Sequence, residues 1–276
     1  MKVLVLAGNH ANQKALCHKI AKVCDLSAIV VSDNIPRKKP DLTRQARLII
    51  NRIGNRIVGR PLVEAWSKTL AAYETSYPEY PEVNLIRVRN INDDRTLKAF
   101  KRYSPDLTVV SGTNLIGQKV IGLANARGGI INLHTGISPY VRGGPNCTNW
   151  CLAKNWFHLI GNTIMWLDSG IDAGSIIATE RTSLTGNETL IELQTKVMDH
   201  GHDLYVSAIR QLAKGDKVSS VPQKDIAAGT TFYTVDWNIT EIRNAIKNFR
   251  ENYRAFFDDM ESNRELLDAV KLVGLI

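Results

Sequence analysis

The sequence predicts an α/β fold, a doubly wound and mostly parallel sheet with a helical insertion and a small C-terminal appendage, and three observations carry that prediction. Short apolar runs at 2–8, 26–32 and 106–111 alternate with segments of helical periodicity. The runs are continuous rather than alternating, as in strands covered by helices on both faces. They end in residues suited to turns, such as Gly112-Thr113-Asn114, and ligands of open α/β sheets bind beyond the carboxyl ends of strands.

Taken in order, residues 2–8 read as a buried strand, 11–23 as a helix and 26–32 as a second strand, which Asp33-Asn34-Ile35-Pro36 breaks. An insertion over about 36–82 follows, with helices expected at 42–58 and 62–73 before a Tyr/Pro-rich loop. The sequence then predicts strand 83–88, helix 93–103, strand 106–111, a short helix over 117–124 and strand 129–133. A strand opening at Gly161 and another over 176–182 precede a long helix, 188–212. Leu190, Leu193, Val197, Leu204 and Ile209 give that helix its apolar spacing, with Thr185 or Asn187 as its expected cap. In the tail, 231–235 reads as a short strand and 240–257 as an amphipathic helix. The expected division is a catalytic domain over 1–213 and an extension over 214–276.

The chain has 276 residues, 44% of them hydrophobic and 22% charged, enough for a sizeable buried core. No apolar run reaches the roughly 18 residues needed to cross a bilayer. The first residues enter a strand without the apolar region and cleavage site of a secretory signal. The expectation is therefore a cytoplasmic protein with no membrane partner. Cys17, Cys24, Cys147 and Cys151 do not form a Cys-x-x-Cys pattern. Their spacings, seven and four, suit buried helix faces, so the sequence predicts structural thiols and no metal. Much of the formal charge of +8 sits between Pro36 and Arg60, where Arg37, Lys38, Lys39, Arg44, Arg47, Arg52, Arg56 and Arg60 face only Asp41. Such a tract either attracts phosphates or forms a solvated basic helix face.

The chemistry concentrates in residues 130–177. Asn132 and His134 are two apart on an expected strand, so both project from one face while Leu133 points to the other. An amide donor beside an imidazole suits a reaction in which an oxygen gains negative charge while a proton moves nearby. A carboxylate downstream, at Asp172, would orient that imidazole and support its protonated form. Together these residues suit acyl transfer without a covalent nucleophile.

The order Asn132-x-His134, the loop from Ser138 through Arg142-Gly143, Gly161-x-Thr163 and Asp172-x-Gly174 resembles the catalytic core of the 10-formyltetrahydrofolate-dependent formyltransferases, which have a Rossmann-like fold. The resemblance implies catalytic roles for Asn132, His134 and Asp172, with 10-formyltetrahydrofolate as formyl donor. It places the donor's pterin against backbone groups of Gly112, Thr113, Asn114, Leu115 and Ile116, and of Leu167, Asp168 and Ile171. On the acceptor side it implies Tyr140, Arg142, Gly143 and Gly144, with Arg142 leading.

Which amine is formylated depends on what surrounds that core. Glycinamide ribonucleotide formyltransferases carry a Gly-Ser-Gly-Ser-Asn type loop after the first strand, where this chain has Gly8-Asn9-His10-Ala11-Asn12. Methionyl-tRNA formyltransferases add a C-terminal β-barrel, for which the stretch after Leu212 is short. Formyltetrahydrofolate hydrolases usually carry an N-terminal regulatory domain. The chain is most similar to sugar-nucleotide N-formyltransferases of surface-polysaccharide (lipopolysaccharide O-antigen) biosynthesis, in which a Tyr-x-x-x-Asp-Trp-like piece, here Tyr233 to Trp237, occurs in a short tail. That resemblance implies a nucleotide-linked amino sugar as acceptor, leaves room for a homodimer and makes nucleic acid a poor partner. The competing class is an RNA-binding protein that uses the basic insertion on a formyltransferase scaffold.

Overall fold

The computed structural model describes residues 1–36, 42–168, 173–215 and 218–275. The first half alternates strand and helix: β1 (Lys2–Gly8), α1 (Ala11–Ala21), β2 (Asp25–Ser32), α2 (Leu42–Ile57), α3 (Arg60–Ser76), β3 (Asn84–Val88), α4 (Asp94–Tyr103), β4 (Leu107–Ser111), α5 (Gln118–Asn125) and β5 (Ile130–Thr135). There follow β6 (Val141–Gly143), α6 (Cys147–Ala153), β7 (Gly161–Trp166), β8 (Ile176–Arg181) and α7 (Leu190–Ala213). The tail holds β9 (Thr230–Phe232), α8 (Ile239–Glu251), α9 (Tyr253–Asp258) and α10 (Arg264–Asp268).

Seven strands form one sheet in the order β3-β2-β1-β4-β5-β7-β8. β3, β2, β1, β4 and β5 are parallel, whereas β7 pairs antiparallel with both β5 and β8. The doubly wound, mostly parallel expectation therefore holds. Alternate residues of β1 pack to opposite sides. Val3, Val5 and Ala7 meet Leu16, Ile20, Leu204 and Ile209 of α1 and α7, while Leu4 and Leu6 meet Phe100 and Val120 of α4 and α5. This two-sided burial is why β1 and β2 read as unbroken apolar runs.

β4 and β5 pair only from Thr108–Ile130 to Val110–Asn132. At that level the Tyr205 hydroxyl, fully buried and presented by α7, accepts from Val110 N at 3.1 Å and donates to Ile131 O at 2.7 Å. The helix behind the sheet thus takes part in the ladder where the two strands diverge.

Several boundaries differ from expectation for local reasons. Thr189, rather than Thr185 or Asn187, caps α7. Its hydroxyl accepts from Glu192 N, and the Glu192 carboxylate accepts in turn from Thr189 N at 2.7 Å. The expected helix over 240–257 breaks at Asn252 into α8 and α9. The strand expected over 231–235 is confined to β9, which pairs parallel with β6 in a separate two-stranded sheet. Cys24 is not on a helix face, because α1 ends at Ala21 and a turn leads into β2. Cys17, Cys147 and Cys151 are buried on α1 and α6 and form no disulfide.

Glu188 ties the tail to the sheet. Its buried carboxylate accepts from Thr185 N at 3.0 Å, Gly186 N at 3.0 Å, Lys196 Nζ at 2.6 Å and the Tyr253 hydroxyl at 2.8 Å. Burial opposes its ionisation, but the bonds from Lys196, Thr185 and Tyr253 prevail and hold the carboxyl down to about 2. Because the folded carboxyl is the stronger acid, the unfolded chain takes up the proton first. Glu188 therefore contributes stability above the ordinary carboxyl range near 4.5, and that contribution is lost as pH falls towards 2. Urea titrations should show wild type losing roughly 3 kcal/mol more than Glu188→Gln between neutral pH and that limit. Parallel pH profiles for the two proteins would remove this account.

Candidate active site

A cleft of about 1420 Å³ opens over β4 and β5. Its wall includes Asn132 and His134 of β5, the loop 111–116 after β4, and Leu167 and Asp168 after β7. Helical residues close the remaining sides: His10, Asn12 and Gln13 at the start of α1, Gln194, Val197 and Met198 of α7, and Thr43, Asn55, Leu62 and Trp66 of α2 and α3. Phe232, Tyr233, Thr234 and Trp237 from the tail complete it.

The strand geometry separates the three residues 132–134 as their spacing requires. Asn132 and His134 share the cleft side, and Leu133 packs with the core cluster that includes Tyr205 and Ile164. His134 is buried, with Val141 O 3.1 Å and Cys147 Sγ 3.4 Å from its Nε2. A carbonyl oxygen only accepts, so Nε2 carries the proton that meets Val141 O. Cys147 in turn donates to Gly143 O at 3.5 Å.

The turn after β5 gives the ring its space. Gly136 has φ +138°, and a Cβ there would stand 3.1 Å from His134 Nε2 and 2.9 Å from Cys147 Cβ. Thr163 fixes that turn by donating to Gly136 O at 2.6 Å and accepting from Ser138 N at 2.9 Å. The Gly-x-Thr spacing read from sequence thus has a structural purpose one strand away.

The loop after β4 is held by asparagines. Gly112 takes φ +66°, and Asn34 clamps it by donating to Gly112 O at 2.8 Å and accepting from Asn114 N at 2.8 Å. Asn114 Nδ2 donates to Asn90 Oδ1 at 3.2 Å, and Asn92 Nδ2 donates to Leu115 O at 2.8 Å. Sequence reading took Asn34 for a strand breaker only and gave Asn90 and Asn92 no part in the site. Their side chains shape the loop from the ends of the neighbouring strands.

The structure brings most of the expected site residues to one cleft. Asn132, His134, Gly112, Thr113, Asn114, Leu115, Ile116, Leu167, Asp168, Gly143 and Gly144 all line it. Tyr140 and Arg142 do not, although the sequence placed them on the acceptor side. The Tyr140 hydroxyl accepts from Lys271 N at 2.9 Å, and Arg142 Nη2 donates to Ala228 O at 3.4 Å, so both engage the tail. Asp172 and Ile171 lie outside the described residues. Sequence reasoning missed Asn12 and Gln13. Both are buried in the cleft wall, with Asn12 Oδ1 and Gln13 Oε1 lacking a partner among the described residues. Their only signal was a place just after the first strand of an α/β sheet. Asp168 is the one charged side chain among the described lining residues apart from the two imidazoles.

An open α/β sheet with an amide and an imidazole on one strand face, at the floor of a cleft this large, is the arrangement of an α/β enzyme. The chain belongs to the formyl transferase family, whose N-terminal domain model matches residues 1–209. Methionyl-tRNA formyltransferase of Clostridium beijerinckii is 33% identical over 178 residues, 60% of this chain and 55% of that protein. The chain thus spans about half the length of the curated relatives it matches. Among solved structures, phosphoribosylglycinamide formyltransferase of Anaplasma phagocytophilum superposes with a TM-score of 0.54 at 15% identity, over 85% of this chain and 98% of that one. The N-formyltransferase of Helicobacter canadensis, in complex with folinic acid and dTDP-3-aminofucose, gives 0.55 at 17% identity, over 90% of this chain and 81% of that one. At these identities the likeness is one of fold.

Proposed function

We propose that the chain moves the formyl group of 10-formyltetrahydrofolate to the primary amine of an amino-deoxysugar linked to a nucleoside diphosphate. The observation that carries this reading is the shared cleft face of Asn132 and His134 on β5, opposite the loop 111–116. The folate supplies an activated formyl carbon. That donor fits a cleft whose loops present backbone groups and whose walls hold Asn12 Oδ1 and Gln13 Oε1, unpartnered among the described residues. In this reading Asn132 donates to the formyl oxygen as it gains charge, a contact worth roughly 2.7–4 kcal/mol in comparable sites. His134 accepts the ammonium proton and returns it to the leaving folate nitrogen as the new amide bond forms. Asp172 orients the imidazole or takes the proton itself. The catalytic unit is residues 1–213, with 214–276 supplying one wall of the cleft.

Two features support a nucleotide-linked acceptor. The α1 N-terminus, whose backbone dipole favours anions, opens into the cleft at His10. Tyr233 and Trp66 add aromatic faces to the same wall. A thermal-shift screen tests the reading. Nucleoside diphosphates added with folinic acid should raise the melting temperature more than either alone, because each stabilises the folded state. Shifts with folinic acid but with no nucleoside diphosphate would retain the donor and remove the acceptor.

A second reading, methionyl-tRNA as acceptor, is favoured by sequence relatives that are methionyl-tRNA formyltransferases, among them those of Clostridium beijerinckii and Clostridium tetani. Formylation of charged initiator tRNA by this chain would establish it over the first.

A further inference from the structure

The insertion helix α2 is turned inside out. The face that packs on the body carries Asn51, Gly54 and Asn55. Asn51 Nδ2 donates to Val235 O at 3.1 Å, Asn55 Oδ1 accepts from Trp237 Nε1 at 3.1 Å, and Gly54 lies against Ile239. The face turned to solvent carries Ile49, Ile50, Ile53 and Ile57, which are 55%, 58%, 53% and 72% exposed. At 100° per residue these four fall within one stripe on the 16-residue helix, and the exposed Arg52 and Arg56 border it. A soluble helix normally buries such a stripe.

From this stripe and its arginine border we infer that α2 docks in the plane of an anionic lipid bilayer, its isoleucines among the acyl chains and its arginines at the phosphates. Charge selects this occupant. α2 contains no Asp or Glu, so pairing the stripes of two copies would bring arginine against arginine. RNA would satisfy the arginines but offers nothing to four isoleucines, and α2 has no aromatic side chain to stack on bases. An anionic membrane surface supplies both a hydrocarbon layer and negative headgroups, which is the pairing that interfacial amphipathic helices use. This departs from the sequence expectation of no membrane partner, which considered only spanning segments. It is independent of the proposed formyl transfer.

The test is co-sedimentation with vesicles of phosphatidylglycerol mixed with phosphatidylcholine, and of phosphatidylcholine alone. The wild-type chain should pellet with the mixed vesicles. Ile53→Ser/Ile57→Ser should remain in the supernatant with both, and Arg52→Gln/Arg56→Gln should bind about tenfold or more weakly. All of these positions are exposed, and unchanged circular dichroism confirms that the variants fold. Three results would overturn the inference. One is a wild-type chain that does not pellet. Another is binding that survives loss of the isoleucines, which would reflect only the net positive charge. The third is a dimer, seen by sedimentation velocity, that dissociates in the Ile53→Ser/Ile57→Ser variant, because the stripe would then be a subunit contact.

Discussion

Replacing His134 with alanine is expected to lower kcat for formyl transfer by roughly 10²–10⁴-fold while the chain still folds. The ring lines the cleft, and its contacts are polar ones with Val141 O and Cys147 Sγ. The surrounding turn is held by Thr163, not by the imidazole. Release of tetrahydrofolate measures the rate, and circular dichroism with thermal melting checks the fold. Because the imidazole handles a proton in the proposed reaction, KM for the folate should change far less than kcat. Turnover within a few-fold of wild type would remove His134 from the chemistry. A collapse of thermal stability would instead make it a structural residue.

The largest effect on stability is expected at Trp150. It is 2% exposed, stacks on Phe232 at 4.3 Å between ring centroids and meets Trp237 edge-on at 4.9 Å. Its indole N–H donates to Gly144 O at 3.1 Å. Phe232 and Trp237 come from the tail and Gly144 from the loop beside His134, so one side chain joins the tail to that loop. Trp150→Ala removes that joint, leaves a cavity and should cost about 3–5 kcal/mol. Urea unfolding measures this directly, and a loss below about 1 kcal/mol would mean that the tail packs on the sheet without it. The variant should also bind folinic acid less well, because Phe232 and Trp237 line the cleft.

What the sequence disclosed follows from how local each feature is. β1, β2 and β4 were legible because burial on both faces makes a strand apolar throughout, a pattern contained in a few consecutive residues. The Asn132-x-His134 pair was legible because strand geometry alone puts both side chains on one face. β6 was not, because three residues of a Gly/Pro-rich loop become a strand only through pairing with β9, some ninety residues later. The asparagines around loop 111–116 were hidden for a related reason. Asn in a turn looks the same whether it serves its own backbone or, like Asn34, holds a loop from another strand. Tyr140 and Arg142 were placed by their proximity to His134 along the chain, but the tail engages both side chains. The helical insertion was legible as two helices, but nothing local announced that Thr43, Asn55 and Trp66 would wall the cleft or that the isoleucines of α2 would face outwards.

Tyr205 sets a lower bound on the length of any working fragment. Its hydroxyl completes the hydrogen bonding where two central strands part, one residue from Asn132. A fragment that stopped short of the middle of α7 would keep every strand of the seven-stranded sheet yet leave that junction unpinned, so the amide and imidazole would lose their common footing. The smallest autonomous unit must therefore run past position 205.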